Sequence, residues 1–119
     1  MEISNTNSYL LIDVENSLVR ESTAKTLEDM QRDVNTDIIT VRYINIENKE
    51  FILICDDEGL LKDNPIISVY DSSSLFPAVV GNVLIGKQKG DKTVFLTPKE
   101  KRMICKKIKR FNDLVLLVV

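Results

Sequence analysis

The chain has no histidine and no tryptophan, and only two cysteines, three prolines and four glycines. Without histidine, neither a Ser-His-Asp nor a Cys-His nucleophile can be assembled within one chain, and no His-ligated zinc site exists. Two cysteines alone cannot complete an ordinary Cys/His structural zinc site. The glycines at 59, 81, 86 and 90 fit neither G-x-G-x-x-G nor G-x-x-x-x-G-K-[ST], so neither phosphate cradle is present. No cofactor is therefore assigned. The longest apolar run, Leu114 to Val119, falls far short of the ~18 residues of a membrane span. The opening Met-Glu-Ile-Ser-Asn-Thr-Asn-Ser lacks the positive flank and apolar stretch of a secretory signal. A cytoplasmic location is expected, with no membrane association and with Cys55 and Cys105 as reduced thiols. Both lie among apolar residues and read as small buried hydrophobes.

What is present fits one folded domain spanning residues 1–119, with 44% hydrophobic and 29% charged residues. Charge is unevenly distributed. Residues 1–86 carry six Lys/Arg against 15 Asp/Glu, while residues 87–119 carry ten against three, for a formal net of −2. Such asymmetry points to a face for an anionic partner, or to charge complementarity within or between chains. The sequence pI near 5.2 argues against bulk coating of nucleic acid.

Tyr9 to Val14 reads as a first strand, followed by a polar loop from Glu15 to Ser22. Ser22 or Thr23 starts a helix reaching about Val34, with Leu27, Met30 and Val34 as its apolar stripe and Asn35 as its stop. Asp37–Ile44 and Glu50–Cys55 read as strands joined by a hairpin loop at Asn45–Lys49. Asp56-Asp57-Glu58-Gly59 is an acidic turn. Leu60 to Tyr70 is less regular. Ala78 to Gly86 reads as one strand bent at Gly81, and Gly90-Asp91 turns it back into Thr93–Leu96. Thr97-Pro98-Lys99-Glu100 has the form of a capping box with proline at the first helical position, and the helix it opens should reach Phe111. Leu114–Val119 favours a final strand by β-branching, although Phe111, Val115 and Val118 also fit a continued helix. The pattern is α+β, with a mostly antiparallel sheet of about five or six strands and two helices.

Several segments carry a family resemblance. They are Thr26–Val34, Ile38–Val41, Ile52–Gly59, Leu61-Lys-Asp-Asn-Pro65, Val80–Gly86 and Leu96-Thr-Pro-Lys-Glu100, together covering roughly residues 26–100. This series resembles a family of small bacterial domains named only as a domain of unknown function, with members in Firmicutes, their phages and other mobile elements. In that family the acidic turn usually reads Asn-Glu-Glu-Gly, and Asp56 departs from it. The resemblance implies an α+β fold and a mobile-element setting, and it supplies no catalytic residues.

Two kinds of site remain. On the capped helix, Lys99, Arg102, Lys106, Lys109 and Arg110 fall within an arc of about 100°, opposite Met103, Ile104, Ile108 and Phe111. Lys107 falls inside the apolar arc and has to snorkel. Cations near a helix C-terminus complement its dipole, but Lys99 and Arg102 sit where cations are disfavoured. A solvated polar face and a face for an anionic partner both fit this pattern. That partner would be a protein, nucleic acid bound weakly through phosphates, or a second copy in a homodimer. Few aromatics accompany the cations, which disfavours stacking on single strands.

The alternative is a carboxylate-dependent divalent-metal enzyme using Asp56, Asp57, Glu58 and Asp63, whose concentration suits a hard cation but whose spacing is not that of an EF-hand. Asp37 followed by Glu47-Asn48-Lys49 also resembles a metal-dependent nuclease core. The balance of these features favours a small non-enzymatic binding or regulatory module.

The six apolar C-terminal residues need a buried place, either within the protomer's own sheet or at a dimer contact. Deleting Leu114–Val119 is therefore expected to abolish soluble folding. A truncated protein that remains soluble, unfolds cooperatively and keeps its solution mass would overturn both placements.

Overall fold

The computed structural model describes residues 2–119. Among them the chain forms ten strands and two α-helices in three layers, an α+β fold. The central layer is a mostly antiparallel six-stranded sheet. Its strands are β1 (Tyr9–Asp13), β2 (Leu18–Ser22), β3 (Ile39–Ile46), β4 (Lys49–Asp56), β7 (Val83–Lys89) and β8 (Lys92–Val94). They are ordered β2-β1-β7-β4-β3, with β8 paired to the outer part of β7. A second sheet has the order β6-β5-β10-β9, from β5 (Ile67–Tyr70), β6 (Ala78–Val80), β9 (Ile108–Phe111) and β10 (Leu114–Val118). Only the β10–β5 pairing is parallel.

Alternation along the central strands assigns their side chains to two cores. Leu10, Ile12, Phe51, Leu53, Val83 and Ile85 face the second sheet, where they meet Val69, Val79, Val115 and Leu117. Ile104 of α2 (Pro98–Cys105) packs into the same core. Tyr9, Leu11, Ile52, Ile54 and Leu84 face the other way, under Met30 and Val34 of α1 (Leu27–Val34). β1 is thus buried along its whole length. Each fully buried Leu, Ile or Phe contributes about 1.5–3 kcal/mol, so covering both faces is the main stabilising term.

Several elements differ from the sequence expectation. The α1 cap is Thr26, whose Oγ1 accepts from the Asp29 N–H at 3.1 Å while Asp29 answers the Thr26 N–H at 3.3 Å. Ser22 instead ends β2, where its hydroxyl donates to Asp33 at 2.5 Å. Residues 18–22 are an edge strand rather than a loop, and an edge strand tolerates the polar Arg20 and Glu21 that obscured it. Residues 78–86 are two strands in different sheets. Gly81, at φ +83°, makes the corner between them. The irregular stretch from Leu60 holds a 3-10 turn at Gly59–Leu61 and the strand β5.

The second helix ends at Cys105, not Phe111. Residues 108–111 pair with 114–117 across a tight turn in which Asn112 takes φ 55°, and β5 completes the site for β10. That pairing outweighs the helical spacing of Phe111, Val115 and Val118. Phe111, expected on the buried side, is 59% exposed. The C-terminal run is a strand of the chain's own sheet, with Val115 and Leu117 in the core. Among the described residues no helix is long and apolar enough to cross a membrane.

Gly86 is required by close packing. A Cβ there would lie 2.6 Å from the Tyr9 ring, which packs edge-on against Phe95 and donates its hydroxyl to Thr93 at 3.0 Å. Gly86→Ala is expected to lower stability by about 1–3 kcal/mol by displacing that ring. The urea midpoint measures the loss, and because Gly86 lies outside the positive-φ region the loss reports steric crowding alone.

Candidate functional site

The capping box at Thr97 gives α2 a fixed start. The Glu100 N–H donates to Thr97 Oγ1 at 3.2 Å, and Glu100 Oε1 accepts from the Thr97 N–H at 2.8 Å. The same oxygen takes Lys87 Nζ at 2.9 Å, which ties β7 to the helix. Lys99, Arg102 and Lys106 project from the exposed side of this helix. Among the described residues none of the three has a carboxylate within 4.0 Å. They line a hollow of about 720 Å³ together with Lys49 and Lys87, and Glu47 stands on its opposite wall. Lys107, expected to snorkel from the apolar side of the helix, lies beyond its end at Cys105 in the turn before β9, and its Nζ lies 3.5 Å from Glu47.

Lys109 and Arg110 are not on the helix, because they belong to β9. The chain folds back, so Arg110 still meets Arg102 and Lys106 around a second hollow of about 410 Å³ floored by Ile3, Val19 and Ile108. The Arg110 guanidinium also donates to the Ser17 carbonyl at 3.0 Å. Lys109 alternates with Arg110 along the strand and faces away from that hollow. Four of the five cations expected on one helix face are thus contiguous, and Lys109 is apart. A third hollow of about 590 Å³ beside α1 balances Glu28 and Asp37 with Arg32 and Lys62.

Sequence periodicity missed Lys49 and Lys87, which arrive from β4 and β7. It also missed Lys101, whose side chain is wholly buried although it sits one residue from Arg102. Its ammonium donates to the Thr6 carbonyl at 2.6 Å and to Ser8 Oγ at 3.0 Å, and it is paired with Glu21. The signal for Lys101 was its place three residues before the core residue Ile104.

The acidic turn is held together from within. Asp56 Oδ2 meets Lys62 Nζ at 2.6 Å, and Oδ1 accepts from Thr36 Oγ1 at 3.1 Å and from the Glu58 N–H at 2.9 Å. Asp57, Glu58 and Asp63 are exposed. Among the described residues no three His, Cys, Asp or Glu side chains converge as a metal group. Asp37 and Glu47 flank opposite ends of β3, which holds them roughly 30 Å apart at ~3.3 Å per residue. The nuclease-like convergence is absent.

Burial pushes the Cys55 thiol up to about 11 and also raises Cys105, so both stay protonated at neutral pH. Four carboxylates move the other way, Asp29 among them through hydrogen bonds from the Lys25 and Thr26 N–H groups. The Lys101 ammonium holds Glu21 below its usual range, against some desolvation. For Asp56 and Glu100 burial acts upward, but hydrogen bonds from Lys62, Glu58 and Thr36, and from Thr97 and Lys87, outweigh it.

The family described as a domain of unknown function (DUF3846) matches residues 7–111, a longer span than the motifs between 26 and 100. The chain belongs to that family. No curated protein and no solved structure matches it.

Folded-state values below the unfolded ones mean that the unfolded chain binds more protons as the pH falls. The stability contributed by Glu21, Asp56 and Glu100 is complete above their unfolded values of about 4 and is lost as the pH drops through the folded ones. Urea midpoints are expected to fall progressively below about pH 5. Glu21→Gln should lower the midpoint at neutral pH and flatten this decline, and an unchanged acid slope would remove Glu21 from the account.

Proposed function

We propose that this protein is a small non-enzymatic binding module, of the regulatory kind carried by mobile elements, which holds an acidic segment of a partner protein against α2. The observation that carries the reading is the hollow between α2 and the β3–β4 hairpin. Lys49, Lys99, Arg102 and Lys106 converge there without ion-pair partners among the described residues. Exposed cations left unpaired on one face attract anions at long range and raise the rate of encounter.

The fixed background supports selectivity for a short acidic segment over an extended phosphate backbone. Glu47 and Glu100 interrupt the positive lining, and each is already engaged by a lysine. Aromatic platforms for base stacking are missing from the lining, while Met103 adds apolar surface. Recognition therefore rests on charge with a small apolar contribution. The engagement of both Asp56 oxygens supports a structural part for the acidic turn.

Changing Lys99, Arg102 and Lys106 together to Gln is expected to shift stability by only ~0.5 kcal/mol per site, since all three are exposed. The same change should weaken binding of a fluorescent poly-glutamate peptide sharply at low salt, measured by anisotropy. Duplex and single-stranded DNA probes are the comparison. A preference for either DNA, with log affinity falling linearly in log salt and a shallower slope in the triple variant, would replace the acidic protein segment by nucleic acid. Absence of binding to all three probes at ~50 mM salt would overturn the reading.

A further inference from the structure

Among the described residues the sheets end in five edge strands, and four of them are protected. β8 has three residues and opens on Lys92. β2 is short and bears Arg20 and Glu21, engaged by Asp33 and Lys101. β6 has three residues and follows Pro77. β9 has four and carries Lys109 and Arg110. Short length, charge and proline are the usual means by which an edge resists further pairing. β3 has none of these. It runs eight residues with no proline, no glycine and one charge, Arg42. That charge is turned away from the rim, since its guanidinium donates to the Phe76 carbonyl at 2.5 Å and the Ala78 carbonyl at 3.4 Å.

The polar groups left open on this edge can be assigned. The Asp57 N–H donates to the Ile38 carbonyl, so even-numbered residues of β3 bond inward to β4. By antiparallel alternation, Ile39, Val41 and Tyr43 keep their own N–H and C=O groups outward. These same three residues share one face of the sheet. Ile39 packs at the margin of the α1-side core, whereas Val41 and Tyr43 lie beyond the helix and are 42% and 56% exposed. Leu75 and Phe76, in the loop whose Phe76 carbonyl accepts from Arg42, are 94% and 75% exposed on the side of the sheet opposite Val41 and Tyr43.

We infer that β3 pairs antiparallel with β3 of a second copy, about a two-fold axis through Val41, to make one sheet continuous across a homodimer. The strand is self-complementary in that register and poorer in the neighbouring ones. Val41 meets Val41 of the second copy, and Ile39 meets its Tyr43 twice by symmetry, an aromatic–β-branched pairing of the favourable kind. Arg42 lies opposite Thr40. Shifting the axis to Arg42 would set two guanidinium groups face to face, and shifting it to Tyr43 would leave Val41 against Asn45. The contact differs from a dimer built on the C-terminal run, whose strand is already enclosed between β9 and β5. An edge pairing with a small apolar rim buries little surface, so the dimer dissociates on dilution. It stands independently of the partner proposed for α2.

Light scattering on the intact chain, from low to high micromolar concentration, tests this. The expected mass rises toward twice the 13.6 kDa chain. Val41→Lys, which sets two ammonium groups across the axis, should hold the mass at one chain while leaving circular dichroism and the melting temperature unchanged. Val41→Cys should give a covalent dimer on mild oxidation, because paired Cα atoms at ~5.5 Å suit a disulfide. Asn45→Cys and the parent chain should stay uncrosslinked under the same conditions. A single-chain mass at every concentration would overturn the dimer. A doubled mass persisting in a folded Val41→Lys variant, or equal cross-linking of Asn45→Cys, would overturn its location.

Discussion

A lysine ammonium with no exposed surface must be met by oxygen on several sides, and in this protein that requirement organises the fold around Lys101. Taking a charge out of water costs several kcal/mol unless good geometry offsets it. Here the N-terminal segment supplies the Thr6 carbonyl and the Ser8 hydroxyl, and β2 supplies Glu21. Three parts of the chain are thereby brought to one point. The result fixes α2 across the end of the sandwich, so the opposite side of the helix, with Lys99, Arg102 and Lys106, is held at a set angle to the β3–β4 hairpin. Among the described residues every buried side-chain N or O finds a partner. The arrangement thus imposes no unsatisfied group elsewhere.

Charge accordingly has two separate uses in this chain. Lys101, Glu21, Lys87 and Glu100 are spent internally, as fasteners between elements. Asp56 and Lys62 do the same for the turn after β4. The asymmetry of the sequence, acidic before residue 87 and basic after it, partly reflects this pairing of early carboxylates with late ammonium groups. Lys99, Arg102 and Lys106, on the outer side of α2, have no ion-pair partner among the described residues.

Much of this was legible from local sequence. The box at Thr97, a hairpin within Asn45–Lys49 (tightened in the fold to a turn at Glu47-Asn48) and a break in direction at Gly81 each depend on residues within a few positions of one another. Features decided by distant partners were not legible. The end of α2 depends on β10 and β5 offering residues 108–111 a better set of hydrogen bonds than another helical turn. The second sheet as a unit is hidden for the same reason, since only the distant β5–β10 pairing joins its two local strand pairs. The site shows the same division. Lys99, Arg102 and Lys106 follow from helical spacing, whereas Arg110 joins them only because the chain reverses. Lys49 and Lys87 come from strands far away in sequence. Lys101 was hidden because periodicity reports which side of a helix a residue occupies, not whether a charge there can be satisfied.

The parallel pairing of β10 with β5 has a consequence in time. Val69 and Leu117 are neighbours in space, although most of the chain's second half separates them in sequence. The hairpins β1–β2, β3–β4, β7–β8 and β9–β10 each close over a few residues, and such units form within microseconds. Joining them requires the remote contacts of β1 with β7 and of β5 with β10, for which loop-closure entropy is lost before any packing is gained. Assembly of this chain is therefore paced by topology rather than by its turns, since each sheet is complete only when its most distant strands have met.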